Sequence, residues 1–266
     1  MLKEIRSLLR FEVHVVEHCN LNCRGCFHCS PLADIDFLDI KEYARDLQRL
    51  QDLFGSEMEY ISLLGGEPLL HPEINDFFEV SRKFFPKGTI NLVTNGILLK
   101  NMDNQFWQSM KKNKITLRPT EYPISVDYNL IKAIAEKYNV KYKAFDMVVD
   151  ESGKKLLEHY HFDIYGKQSA SDNFSNCYRG NFCIFLRHGK LFSCVLGANI
   201  AHLKRYFNLS HIDISDDGID IYKCKNKDEI MKFLAMPMKA CRYCNLNEKK
   251  EFLSFTKTKY QLDEWI

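Results

Sequence analysis

The chain has 266 residues, 45% of them hydrophobic and 13% aromatic, enough for one large domain or one domain with a small appendage and a substantial buried core. Its net charge of +2 leaves no broad electrostatic footprint for nucleic acid or a membrane surface. No apolar run of about 18 residues occurs, and the opening MLKEIRSLLRFEVHVV carries scattered charges and no small-residue cleavage site. Neither a membrane span nor a signal peptide is expected, and the chain reads as cytoplasmic.

Residues 11–16 (FEVHVV) alternate apolar and polar before running apolar, as a half-buried strand does, and a cysteine-bearing loop follows. Over 39–54, Ile40, Tyr43, Ala44, Leu47, Leu50 and Phe54 recur at helical spacing, with Asp39 as N-cap and Gly55 as stop. YISLLGGEP is a short apolar strand ending in two glycines. Pro72 opens a helix through Phe84, with Ile74, Phe77, Phe78 and Ser81 on one side. INLVTNG (90–96) is a strand ending in Asn-Gly. Residues 103–113 form a helix whose end, with Lys111, Lys112 and Lys114, is solvated. ITLRPT is a strand, and Asp127 to Tyr138 a helix with Ile131, Ile134, Ala135 and Tyr138 inward. VKYKAF (140–145) is a fifth strand, 151–160 a short helix and FDIY (162–165) a sixth short strand.

Strands alternating with helices of this length predict a parallel sheet with helical crossovers. The economical α/β architecture is a partial (β/α)6 TIM-type barrel, with a doubly wound open sheet as the alternative. The polar run KQSASDNFSN (167–176) reads as a linker, dividing a barrel over 1–166 from a small cysteine-rich α+β extension over 167–266. Within the extension, FLRHGKLFSC reads as a hairpin turning at Gly189.

Four of the ten cysteines lie in 19–29, none in 30–176 and six in 177–244. In a reducing compartment, ligation is a better explanation than disulfides. Cys19, Cys23 and Cys26 stand in CNLNCRGC, spaced C-x3-C-x2-C. Structural zinc takes four protein ligands and a four-iron cluster one thiolate per iron, so three thiolates on such a cluster leave one iron open. Taken alone, the spacing also allows zinc with Cys29 or a histidine as fourth ligand. His18, beside Cys19, reads as a positioning group rather than a ligand. In a parallel barrel the functional loops lie at the C-terminal ends of strands. The cysteine loop, the GGEP turn and the TNG turn each follow a strand and so face the same way.

Together, CNLNCRGC, GGEP and TNG resemble the radical S-adenosylmethionine enzymes. The resemblance implies that Cys19, Cys23 and Cys26 hold a 4Fe–4S cluster whose open iron takes the methionine part of S-adenosylmethionine, which reduction cleaves to a 5′-deoxyadenosyl radical. It implies that Gly65, Gly66, Glu67 and Pro68 contact the methionine amino group, the glycines by letting backbone approach the ligand and Glu67 by supporting the turn. Asn95, Thr120 and Glu121 take ribose and carboxylate contacts. Gly25 offers a backbone contact to adenine where the family usually has an aromatic residue, with Phe27 or His28 as replacements for the missing packing.

Cys177, Cys194, Cys241 and Cys244, with Gly189 between the first two, resemble the "twitch" module, a shortened relative of the SPASM extension. That module holds one auxiliary iron–sulfur cluster, usually 4Fe–4S. A four-thiolate zinc is the alternative. Cys29 is read as a spare thiol, and Cys183 and Cys224 as buried thiols or alternative ligands. The resemblance implies an electron donor such as flavodoxin or ferredoxin and a small-molecule, sugar- or cyclitol-like substrate whose oxidation the auxiliary cluster assists. A peptide-modifying or glycyl-radical-activating enzyme is the alternative among enzymes, and an iron–sulfur electron carrier the alternative outside them. His14, Glu17, Glu121 and Asp146 are candidate bases with none singled out, so the catalytic residue stays unassigned. Arg118 is either a ligand for a carboxylate or phosphate or one half of an ion pair.

Overall fold

A computed structural model describes residues 10–159, 161–180, 182–246 and 251–266. The first nine residues, part of the stretch read for a signal peptide, lie outside them. Strands β1 (Arg10–Val16), β2 (Tyr60–Gly65), β3 (Thr89–Thr94) and β4 (Ile115–Pro119) alternate with helices α1 (Ile40–Phe54), α2 (Ile74–Phe84) and α3 (Asn104–Lys112), and α4 (Tyr128–Lys137) follows. The strands pair in parallel and in chain order, with Val13 beside Leu63, Leu63 beside Leu92 and Leu92 beside Leu117. Helix ends follow their capping residues: Asp39, Asp103 and Asp127 each accept backbone N–H groups of the first turn, and α1 stops at Gly55.

The period of two along each strand divides its residues between two surfaces. Phe11, Val13, Ile61, Leu63, Ile90, Leu92, Ile115 and Leu117 join the helices' Tyr43, Leu47, Phe77, Phe78, Phe106 and Trp107 in the main core. The intervening Arg10, Glu12, Tyr60, Ser62, Leu64, Val93 and Arg118 line a cavity instead. The cavity is thus lined by the half of each strand's alternation that the core leaves unused.

After α4 the chain departs from a repeating barrel. Residues 140–145 form no regular strand but run along β4, where Leu117 N–H donates to the Lys141 carbonyl (2.8 Å) and Lys143 N–H to that of Leu117 (2.9 Å). The helix expected over 151–160 is instead strand β6 (Lys155–His159), in a small antiparallel sheet with β5 (Val148–Val149) and β10 (Glu251–Ser254). Its main partner lies almost a hundred residues onward, where no local pattern could announce it. FDIY makes one antiparallel bridge, from Phe162 to Cys244. The expected linker holds helix α5 (Ala170–Asn176), capped by Ser169.

The expected hairpin is present as β7 (Ile184–Arg187) and β8 (Lys190–Phe192), turning at His188–Gly189. β7 pairs in parallel with β1 on the side away from β2. Helix α6 (Val195–Tyr206), strand β9 (Ile219–Asp220) and helix α7 (Lys227–Leu234) complete the fold. Among the described residues the main sheet has the order β4-β3-β2-β1-β7-β8-β9 and is not closed into a barrel. A second core gathers around Trp265 with Leu32, Phe162, Ile200 and Tyr243, and Trp265 donates its indole N–H to the Cys26 carbonyl (3.1 Å). The end of the chain thereby packs beneath the first cysteine loop. Among the described residues, no helix is long and apolar enough to cross a membrane.

Candidate functional site

The first cysteine loop leaves the end of β1 and is strapped from outside. Arg24 N–H donates to the Thr256 carbonyl (2.9 Å), and Thr258 N–H to that of Asn22 (2.9 Å). Cys19, Cys23 and Cys26 line one cavity of about 140 Å³ together with Gly65, Gly66, Asn95 and Thr120. Leu21 N–H points at the Cys19 sulfur (3.4 Å), and backbone groups of His28, Cys29 and Ser30 point at that of Cys26. Burial pushes all three thiols up, Cys19 to about 12. A neutral thiol has little use for several converging N–H donors and a bound thiolate does, so the donor set fits a metal cluster. Ser30 lines the same cavity, and its buried hydroxyl has no hydrogen-bond partner among the described residues.

The GGEP turn owes its glycines to the chain itself. A Cβ on Gly65 would stand 2.1 Å from the Val16 carbonyl oxygen, and one on Gly66 2.0 Å from that of His18. The close approach is therefore to the end of β1, which sets the turn against the cysteine loop. Glu67 is fully buried below the cavity. Its carboxylate accepts from Leu69 N–H (3.0 Å), Thr94 Oγ1 (2.7 Å) and Asn95 N–H (2.9 Å), tying the end of β2 to that of β3. Burial raises its pKa to about 7. Pro68 is buried at the head of a 3-10 turn. Asn95 reaches Asn20 (2.8 Å) and lies 3.8 Å from the Cys19 sulfur.

Gly25 opens on an adjoining cavity of about 180 Å³ shared with Cys23, Cys26 and His159. It has φ +59°, and a Cβ there would lie 2.0 Å from His159 Nε2 and 2.7 Å from the Glu264 carbonyl oxygen. The glycine is what lets β6 and the chain end close over the loop. Glu121 turns aside to Lys155 (2.8 Å) and Tyr142 (2.7 Å). Tyr122, which carries no motif, lines the cysteine cavity with its hydroxyl toward Cys23. Its place directly after Thr120 and Glu121 was the available signal.

Cys177, Cys194, Cys241 and Cys244 line a second cavity of about 40 Å³. Burial raises Cys194 to about 11 and Cys244 to about 12, and the backbone of Leu196 and Gly197, at the start of α6, points at the Cys194 sulfur. Asn173 of α5 donates to the Cys241 carbonyl (2.8 Å) and to that of Cys244. Asp217 accepts N–H groups of Lys239 and Ala240 at the turn carrying Cys241. Among the described residues no group of three or more His, Cys, Asp or Glu is placed to hold a single metal ion. Cys29 and Cys224 are buried, and the Cys224 thiol donates to the Asp220 carbonyl (3.2 Å). Cys183 is half-buried and faces the large cavity rather than the core.

That large cavity, about 720 Å³, lies between the other two. It shares His28, Leu64, Val93 and Thr120 with the first and Cys194 and Arg179 with the second. Of the candidate bases, Asp146 lines it. His14 and Glu17 are locked together: the Glu17 carboxylate accepts from His14 Nδ1 (3.1 Å) and His202 Nε2 (3.0 Å) and lies 3.4 Å from Arg187 Nε. Burial opposes its charge, but these partners outweigh it and hold the carboxyl well below the usual range.

A family model described as a 4Fe-4S single cluster domain matches residues 9–143, half of the chain. GTP 3',8-cyclase of Helicobacter pylori (strain HPAG1) is 30% identical over 90 residues, 34% of this chain and 28% of that protein. GTP 3',8-cyclase of Chlorobaculum tepidum is 31% identical over 94 residues, 35% and 28% of the two chains. The match thus spans under a third of the length of these curated relatives. Among solved structures, BtrN in complex with AdoMet and 2-DOIA superposes with a TM-score of 0.53 at 18% identity, covering 92% of this chain and 94% of that one. Polyhistidine-tagged anSMEcpe with bound AdoMet superposes with a TM-score of 0.55 at 14% identity, covering 91% and 84%. These two share the fold. With the domain match over 9–143 and the three motifs at the strand ends, the chain belongs to the 4Fe-4S single cluster domain family of radical S-adenosylmethionine proteins.

Proposed function

We propose that this enzyme abstracts hydrogen from a small molecule bound in the large cavity, with a cluster site on either side of it. The observation that carries the reading is the cavity's position, opening on both cysteine-lined sites through His28, Thr120 and Cys194. Cys19, Cys23 and Cys26 would hold a 4Fe–4S cluster, and Gly65, Gly66, Asn95 and Thr120 would border S-adenosylmethionine, with Gly25 bordering the adjoining space. When bound, cluster and cofactor supply a 5′-deoxyadenosyl radical. Glu67 and Pro68 act from below, by fixing the turn and the Asn95 backbone. Tyr122 borders the same cavity beside Cys23.

Cys177, Cys194, Cys241 and Cys244 would hold a second iron–sulfur cluster, of the 4Fe–4S type, in a twitch-like domain over 167–266 that follows the partial barrel over 1–166. It would take an electron from the substrate during oxidation, while a donor such as flavodoxin or ferredoxin reduces the first site. The likeness to BtrN along nearly its whole length favours a sugar- or cyclitol-like substrate.

Anaerobically reconstituted protein should release 5′-deoxyadenosine under reduction and carry about eight irons, falling to about four in a Cys241→Ala/Cys244→Ala variant. Deuterium from a labelled alcohol substrate should appear in 5′-deoxyadenosine. Absence of 5′-deoxyadenosine under several reductants sinks the radical reading, and zinc in place of the lost iron sinks the second cluster.

A further inference from the structure

Two arginines line the large cavity around one tyrosine. Arg10 opens β1, at the opposite end of the strand from the cysteine loop, and its guanidinium lies 5.1 Å from the Tyr60 ring centroid and 5.0 Å from that of Phe182. Arg118, inward-facing on β4, stacks on Phe145 at 4.0 Å and reaches the Tyr60 hydroxyl at 3.3 Å. Its one other hydrogen bond among the described residues is a long one, 3.4 Å, to the Lys143 carbonyl.

The cavity's carboxylates are placed elsewhere. Glu12 faces Cys183, Glu158 is held by Arg179 (3.0 Å), and Asp146 stands exposed at the rim. Among the described residues neither Arg10 nor Arg118 has a carboxylate at ion-pair distance.

Stacking on aromatic rings fixes a guanidinium plane and leaves N–H groups at its edge for an oxyanion, in Arg118 those beyond the ones given to Tyr60 and the Lys143 carbonyl. Two like charges gathered on one tyrosine repel, and a shared anion relieves that repulsion. We propose that Arg10 and Arg118, braced by Tyr60, Phe145 and Phe182, form an anion subsite, and that the substrate carries a phosphate or carboxylate group. The proposal deepens the reading of this cavity as the substrate site and rests on it.

The test is calorimetric titration of the reconstituted enzyme with inorganic phosphate and, separately, with acetate. At least one should bind saturably, one per chain. Arg118→Gln and Arg10→Gln should each weaken that binding at least tenfold, while Lys111→Gln, on the exposed end of α3, should leave it unchanged. Arg118→Lys, which keeps the charge without the planar fork, should fall between. Should R118Q fail to fold, R10Q decides. Phosphate binding alone assigns a phosphorylated substrate and acetate binding alone a carboxylated one. Failure of both to bind, or equal binding by wild type and the Gln variants, overturns the subsite. Release of 5′-deoxyadenosine is scored separately: its presence without anion binding removes the subsite alone, and its absence with anion binding intact removes the radical reading and leaves the subsite.

Discussion

Replacing Glu67 by alanine strands three donors at once: the N–H groups of Leu69 and Asn95 and the Thr94 hydroxyl, all directed at one buried carboxylate. A buried donor left unpaired costs about 1–3 kcal/mol. Three sharing one acceptor do not add fully, so Glu67→Ala should destabilise the apoprotein by about 3–5 kcal/mol. The pH dependence carries a second magnitude. Burial lifts the Glu67 pKa from 4.5 to about 7, so the native protein holds this proton more tightly than the unfolded chain does. That contribution to stability is complete below about pH 4.5 and lost as pH rises through about 7, a change of about 3 kcal/mol in all. Glu67→Gln cannot ionise. In urea titrations of apoprotein, wild type should therefore lose stability relative to E67Q by about 3 kcal/mol between pH 5 and 8. His14 and His71, pushed down by burial, act in the opposite sense below about pH 6.5 and cancel in that difference. An E67A variant within about 0.5 kcal/mol of wild type, or a difference that stays flat with pH, would refute the reasoning.

Gly25→Ala combines a left-handed backbone with a Cβ driven into His159 and the Glu264 carbonyl; a loss of about 2 kcal/mol or more in urea unfolding is expected, partly recovered in G25A/H159A. Asn173→Ala removes both bonds to the Cys241 and Cys244 carbonyls; iron should leave the second site faster under a chelator while the first keeps its own, and equal release from both would contradict the role given to Asn173. Tyr122→Phe removes the hydroxyl from Cys23; hydrogen bonds to ligating sulfur raise a cluster's potential, so an EPR-monitored redox titration should show the first site harder to reduce, and an unchanged potential would place the hydroxyl elsewhere.

How much of this was readable in the chain depended on distance along it. CNLNCRGC, GGEP and TNG each finish a local strand, and the caps at Asp39, Asp103 and Asp127 act within one turn, so short-range physics determined them. β6 was misread because LLEH suits a helix until β10 pairs with it, with Leu157 beside Leu253. The reason for Gly25 was hidden for the same cause: the atoms that would meet a Cβ belong to His159 and Glu264. Tyr122 has no signal beyond its place after Thr120 and Glu121, and only the fold turns it toward Cys23.

The two cysteine regions, far apart in sequence, prove to be one mechanical unit. Helix α6 starts at Cys194, its N-cap residue, and two turns on its His202 donates to Glu17, which stands two residues before Cys19. A buried carboxylate that loses one of its hydrogen-bond donors is left under-solvated at a cost of about 1–3 kcal/mol, so α6 cannot shift freely against the end of β1. On the other flank β7 is paired to β1, with Phe11 beside Ile184 and Val13 beside Leu186, and Arg187 at its end faces the same Glu17 carboxylate. The first cysteine loop, at the end of β1, and the second thiol site, at the start of α6, are thus held in fixed register through Glu17. The proposed radical chemistry would use that rigidity, since a hydrogen atom is transferred only from a donor held in contact with its acceptor, and β1 and α6, joined through Glu17, supply Glu12 and Val195 to the wall of the large cavity.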